Sequence, residues 1–417
     1  MEQNTYILDI NDEYIKNILN NEIQREIKNN GSPLFLNENQ KYKMMEKVLM
    51  KICYMADYDF EKATKDNRAR EFILSRIQEE CFEETEFYTI KDTDDYDTNW
   101  YDGLNVKNTR FECLKKSLRD GDMSERAIIN IDKDTNKIMN LINNPNVKEP
   151  FKVIGQVMGE VQSGKTTLFT GTANKCFDAG YRIVIIVAGM SSELRNLTQR
   201  RVESACYGID TIDKTRIGIG KYLNHSQMDE ILIYTRRDKD DERSKEKGEL
   251  VSRGLESLQI KDKKVILVCK RNIHVTQRII NWIKSQEQFN RKTGKLEGIP
   301  TIIIADECDE ATVNMKTIKG KENNNVKIRK LISNIEQVSY VGFSATPFAN
   351  IYMDPYEKDE NIGHDLFPRN FMCYFEPAKT YVGAREFFGE KEAYPYTRIV
   401  GKQGDIDFTE KLEIIPD

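Results

Sequence analysis

Residues 151–159 read FKVIGQVMG, and residues 160–179 continue EVQSGKTTLFTGTANKCFDA. The first segment is apolar and rich in β-branched residues, the pattern of a buried strand. Within the second, Gly159-Glu160-Val161-Gln162-Ser163-Gly164-Lys165-Thr166 fits the spacing GxxxxGK[ST], and the run Thr167 to Ala179 has helical length. A strand, a glycine-bearing loop and a helix in that order form the setting in which this spacing cradles phosphate. Glycines let successive backbone N–H groups curl inward toward anionic oxygens, and the helix N-terminus adds the positive end of its dipole. Gly159, Gln162, Ser163, Gly164, Lys165, Thr166 and Thr167 are therefore the expected nucleotide-binding residues. Lys165 is expected to reach the β and γ phosphates and Thr166 to ligate Mg²⁺.

Further short apolar runs lie downstream at Ile183 to Ala188, Val265 to Cys269, Thr301 to Ala305 and Val338 to Ser344. With Val153 to Val157 they alternate with helix-length segments, which predicts a mainly parallel sheet covered on both faces, an α/β fold. Two of these runs end in chemistry-bearing residues. Thr301 to Ala305 leads into Asp306-Glu307, where Asp306 suits a role in holding Mg²⁺ and Glu307 can orient and deprotonate an attacking water. Val338 to Ser344 leads into Ser344-Ala345-Thr346-Pro347, small hydroxyl residues at a strand end. An acid pair downstream of a phosphate loop favours hydrolysis over transfer to a second substrate, with Glu307, Lys165 and Asp306 as the catalytic set.

The region before residue 148 differs in texture. Apolar residues recur at helical spacing in Tyr14-Ile15-Ile18-Leu19-Ile23, Met44-Met45-Val48-Leu49-Ile52, Phe72-Ile73-Ile77 and Ala127-Ile128-Ile131-Ile138-Met139-Ile142, which predicts an all-α N-terminal domain over 1–147. Gly31-Ser32-Pro33 and Asn143-Asn144-Pro145 punctuate it. The acidic run Glu79 to Asp97 reads as a helix end and a solvated loop. A RecA-like lobe is expected over 148–353 and an extension over 354–417, the latter a possible start of a second lobe. Inside the lobe, Thr235 to Lys247 reads as an exposed charged insertion and Thr317 to Lys327 as a flexible loop.

The chain has 417 residues, 39% hydrophobic and 31% charged, with a formal charge of −5. That balance supports a buried core and argues against a disordered or wholly nucleic-acid-coating chain. Eight cysteines form no CxxC pair, and the histidines are His225, His274 and His364, so neither a zinc site nor a disulfide framework is expected. No apolar run approaches the roughly 18 residues of a membrane span, and the polar N-terminus lacks a signal core. A cytoplasmic protein without membrane contact is the expectation.

The strand–loop, strand–acid and strand–hydroxyl order resembles motifs I, II and III of superfamily 2 helicases. The match to one family is closer. Gly159 to Thr166, Asp178-Ala179-Gly180-Tyr181, Ala188-Gly189-Met190 through Thr198-Gln199-Arg200-Arg201, Asp306-Glu307-Cys308-Asp309, Tyr340 to Ile351 with its ATPFAN segment, Asp365-Leu366-Phe367-Pro368, and Tyr381-Val382-Gly383 ahead of Phe387-Phe388-Gly389 together resemble the Z1 domain family over roughly residues 150 to 390. Members are described as helicase-like ATPases, often labelled as endonucleases, encoded beside restriction or phage-defence genes. The resemblance implies an ATP- and Mg²⁺-dependent motor lobe acting on nucleic acid, with DNA the expected form, in restriction or antiviral defence. Ser344 and Thr346 then couple the nucleotide site to nucleic acid, and Arg195, Thr198, Gln199 and Arg201 lie where helicases contact the phosphate backbone.

Lys270-Arg271-Asn272 is a second candidate for such contacts. Cys308 stands where alanine is commoner in the family, and packing is its expected role. Family members carry a second RecA-like lobe, so a second lobe or a partner defence protein is expected to complete the site; Arg385 and Arg398 are candidates for an arginine finger only by elimination. Two other readings remain open: a non-translocating ATP-dependent switch controlling a partner effector, and an endonuclease component, for which no nuclease residue pattern is present.

Overall fold

The computed structural model describes residues 17–18, 21–22, 25, 38–56, 58–80, 87–91, 96–104, 109–159, 164–237, 258–309, 323–346, 353, 358–359 and 363–375. Among these the architecture is mixed α/β, built on an eight-stranded sheet. Its strands are β1 (Phe87–Lys91), β2 (Phe151–Gly159), β3 (Ile183–Ala188), β4 (Ile231–Ile233), β5 (Lys264–Lys270), β6 (Thr301–Ala305), β7 (Gln337–Ser344) and β8 (Phe371–Phe375). They lie in the order β1-β8-β2-β7-β6-β3-β5-β4. Every pairing is parallel except that of the edge strand β1 with β8.

The five strands read from the sequence are all present, and their composition explains why. In β3, IVIIVA, every residue is buried, as a parallel strand covered on both faces requires. Side chains alternate between two cores. Val184, Ile186, Ile302, Ile304, Val341 and Phe343 point to one core; Ile183, Ile185, Val187, Ile303, Val338 and Tyr340 point to the other. The first core is closed by α6 (Glu125–Leu141) and α7 (Lys165–Ala179), and the second by α10 (Ile273–Lys284) and α11 (Asn324–Ser333). The remaining helices are α1 (Glu38–Ala56), α2 (Phe60–Lys65), α3 (Asn67–Glu80), α4 (Trp100–Gly103), α5 (Thr109–Asp120), α8 (Ser192–Val202) and α9 (His225–Asp229).

Helices α1 to α3 enclose a small core of their own, with Met45, Leu49, Ile52, Ile73 and Ile77 buried at the expected helical spacing. The expectation of an all-α region over 1–147 is nevertheless corrected. Phe87–Lys91, inside the run read as a helix end and loop, is strand β1 and pairs with β8 in register Phe87 with Phe375. Residues 109–141 also pack directly on α7. Asp178 accepts the backbone N–H groups of Arg110 and Phe111 at 3.0–3.1 Å. Lys175 donates to Asp132 Oδ1 at 2.5 Å and lies 4.1 Å from the centre of the Phe111 ring. A charged cluster that local periodicity cannot detect therefore ties these helices to the helix that follows the glycine loop.

Three other expectations change. The segment 354–417 was expected as an extension, yet Phe371–Phe375 inserts as β8 between β1 and β2. Gly155 of β2 makes that possible: a Cβ there would lie 2.1 Å from the Phe371 ring, which takes its space. Asn323 caps a helix over Asn324–Ser333, so the end of the stretch read as a loop is helical. Thr235 is buried and receives the Val268 N–H at 3.0 Å, and Arg237 pairs with buried Glu203, so the start of the supposed insertion is packed. Among the described residues no helix is long and apolar enough to cross a membrane.

Candidate nucleotide site

In a parallel sheet all carboxyl ends share one edge, where open α/β sheets bind ligands. Here β2, β6 and β7 end at that edge in Gly159, Ala305 and Ser344, with β7 lying between β2 and β6. Described residues beyond these strand ends border a cleft of about 1010 Å³ whose walls include Gly164, Lys165, Thr166, Thr167, Asp306, Glu307, Asp309, Ala345 and Thr346. The start of α7 thus meets two segments more than a hundred residues further along the chain.

Gly164 opens α7 with φ of 87°, a left-handed conformation that suits glycine. Lys165 Nζ donates to Gly159 O, at the end of β2, at 3.1 Å. Gln162 and Ser163 lie outside the described residues. Thr166 and Thr167 occupy the first turn of α7 and both border the cleft.

Asp306 follows β6 directly, its N–H donating to Val187 O of β3 at 2.8 Å. Burial pushes its carboxyl above the usual aspartate range, opposed by the Glu307 N–H and by the charges of Lys165, Arg271 and Arg201. Glu307 is exposed at the cleft with φ of 47°, a strained conformation for a non-glycine residue, of the kind that clusters at functional sites. A hydroxyl at Thr166 and a half-buried carboxylate at Asp306 on one cleft fit Mg²⁺, which takes one or two protein oxygens and fills its remaining positions with water and phosphate oxygens. Among the described residues no group of three or more His, Cys, Asp or Glu side chains could hold a metal on protein ligands alone.

Asp309 is the residue whose role the sequence reading missed. It accepts from Ser344 Oγ at 2.7 Å and from the Thr346 hydroxyl, and the Thr346 N–H donates to Ser344 Oγ at 2.9 Å. The acid loop and the hydroxyl loop are thereby joined through the Asp309 side chain. Its position three residues beyond Asp306 was the available signal. Cys308 is buried against Gly342, where a Cβ would lie 2.7 Å from its sulfur, which agrees with a packing role.

The expected nucleic-acid residues divide. Arg195, Thr198 and Gln199 are buried, Thr198 at the wall of the cleft, so the expectation that Arg195 and Gln199 face a phosphate backbone is corrected. Arg195 Nη1 donates to Arg236 O at 2.6 Å, and Gln199 Nε2 donates to Glu203 Oε1 and Thr235 O at 3.0 and 3.2 Å. Positions 195, 199 and 202 repeat at helical spacing, and that stripe of α8 packs inward. Arg201 is exposed and borders the cleft, with Nη1 donating to Thr166 Oγ1 at 2.9 Å. Arg271 is also buried and donates from Nη2 to Asp306 O at 2.5 Å, bracing the acid loop. Arg385 and Arg398 lie outside the described residues.

Neither a protein-family profile nor a curated protein sequence matches the chain.

Proposed function

We propose that the chain is a RecA-like ATPase lobe of the superfamily 2 helicase type, related to the Z1 domain family. One observation carries the reading: Lys165, Thr166, Asp306 and Glu307 share a single cleft at the carboxyl ends of parallel strands. Lys165 and the first turn of α7 bind the phosphates of ATP. Thr166 and Asp306 hold Mg²⁺, which when bound neutralises developing charge on the phosphates. Glu307 orients water for attack on the γ-phosphate and accepts its proton as the bond to the β–γ bridging oxygen breaks and ADP leaves, and Ser344, Thr346 and Asp309 carry the nucleotide state to neighbouring loops. Work on nucleic acid in a bacterial restriction or antiviral system, aided by a second lobe or partner, extends this reading through the family resemblance.

A specific observation favours a second reading. The burial of Arg195, Thr198 and Gln199 removes most of the segment expected to contact nucleic acid, as fits a nucleotide switch that controls a partner effector without moving along DNA. One experiment tests both: ATP hydrolysis by the wild type and by Glu307→Gln, each with single-stranded DNA, double-stranded DNA or none. Loss of a positioned general base is expected to cost about 10²–10⁴-fold in turnover while ATP binding persists. Stimulation by DNA supports the motor, and hydrolysis indifferent to DNA supports the switch. Equal turnover in wild type and variant removes Glu307 from the chemistry.

A further inference from the structure

Helix α8 presents two faces of different fate. Arg195, Gln199 and Val202 are buried inward, whereas Leu194, Leu197 and Arg201, with the largely covered Thr198 between them, border the cleft. The helix then passes into a single π turn, Glu203–Tyr207, a feature that recurs at functional sites. Glu203 is buried and accepts from Gln199, Thr211 and Arg237, which pins the backbone immediately after Arg201. The Arg201 guanidinium reaches the Thr166 hydroxyl at 2.9 Å, in the first turn of α7 next to Lys165. Among the described residues no carboxylate forms an ion pair with it.

We propose that Arg201 contacts the terminal phosphate of a bound nucleoside triphosphate, supplying from within this lobe a guanidinium that distinguishes triphosphate from diphosphate. The inference rests on the ATPase reading above and replaces the expectation that Arg201 binds nucleic acid. A neutral hydroxyl is a weak partner for a guanidinium, whereas a phosphate offers charged oxygens in the geometry its fork fits. An anion delivered to Lys165 and Thr166 arrives within reach of that fork. Contact with the terminal phosphate would also stabilise charge during hydrolysis, the role an arginine finger plays.

The test measures the affinity of the full chain for a non-hydrolysable ATP analogue and for ADP, in wild type, Arg201→Ala, Arg201→Lys and Lys165→Ala. Arg201→Ala is expected to cut the preference for the triphosphate about tenfold or more, the scale of a charge-assisted hydrogen bond, with ADP affinity nearly unchanged. Arg201→Lys should restore only part of that preference. Because Arg201 is exposed, the unfolding midpoint should not move. An unchanged preference in Arg201→Ala, with nucleotide binding lost in Lys165→Ala, overturns the proposal and leaves the ATPase reading standing. Wild-type binding of both ligands by Lys165→Ala sinks the ATPase reading and the proposal with it. If Arg201→Ala instead weakens binding of a single-stranded DNA and lowers its salt dependence, with the triphosphate preference intact, Arg201 is a nucleic-acid contact and the proposal is wrong.

Discussion

Gly342 and Cys308 show how closely the acid and hydroxyl strands are fitted. Gly342 lies in β7, paired with Ala305 at the end of β6, and the Cys308 N–H donates to Phe343 O at 3.0 Å. A Cβ on Gly342 would lie 2.7 Å from the Cys308 sulfur and 3.0 Å from its Cβ. Overpacking of this kind costs about 1–3 kcal/mol, so Gly342→Ala is expected to lower the unfolding free energy by that much, read from a lower denaturant midpoint at unchanged m-value. In a Cys308→Ala background the sulfur is gone and the cost should shrink. A penalty of equal size in both backgrounds would mean that the sulfur is not what the added methyl meets. The motif residues were legible because their chemistry is tied to local spacing. The role of Asp309 was not, because a hydrogen bond across 35 residues leaves no periodicity.

Among the elements, α5 depends on a residue that is distant in sequence. Asp178, near the carboxyl end of α7, accepts the N–H groups of Arg110 and Phe111, while the Thr109 hydroxyl donates to it at 3.3 Å. It thus serves the N–H donors that have no partner within the first turn of a helix. Burial pushes its carboxyl up to about 6, with the two backbone donors and Arg110 pulling it back. The sign follows from linkage: between about pH 4 and pH 6 the folded chain keeps a proton that the unfolded chain has released. Stability from this group is therefore greatest below about pH 4 and falls as pH rises through that window, by up to about 3 kcal/mol. Asp178→Asn keeps an acceptor but cannot titrate, so chemical denaturation across that range should lose this slope. A slope unchanged by the substitution would assign the pH dependence to other groups. Helical periodicity made α6 readable as a helix, whereas α5 was not singled out; the attachment of both to α7 through Asp178 and Lys175 could not be read, since helical spacing says which face is apolar and not what covers it.

For the whole molecule, the decisive contact joins parts of the chain far apart in order. Phe371 of β8 sits opposite Gly155 of β2, fills the space a side chain at Gly155 would need, and is almost fully buried in the core that carries α7. Phe371→Ala should therefore cost about 3–5 kcal/mol, read as a shift in the denaturant midpoint. A loss below 1 kcal/mol would mean that β8 is dispensable to the sheet. Such a contact explains why the strand within 354–417 was not read: FMCYF is short and apolar at every position, so its alternation in burial does not show in its composition, and nothing there reveals that a glycine-bearing strand lies ready to receive it. The parallel core was readable for the opposite reason. Runs such as IVIIVA and TIIIA are buried on both faces, and their apolar residues declare that state without reference to any partner.

The amino-acid order alone settled which segments become the central strands, that these run parallel, and that a glycine loop, an acid pair and a hydroxyl pair follow three of them, because strand propensity and motif spacing are short-range properties. Tertiary packing alone settled the order of the strands, the recruitment of β1 and β8 to the sheet, the inward turn of Arg195 and Gln199, and the approach of Arg201 to Thr166. Those outcomes depend on which surfaces exclude water together, and that is a property of the folded whole.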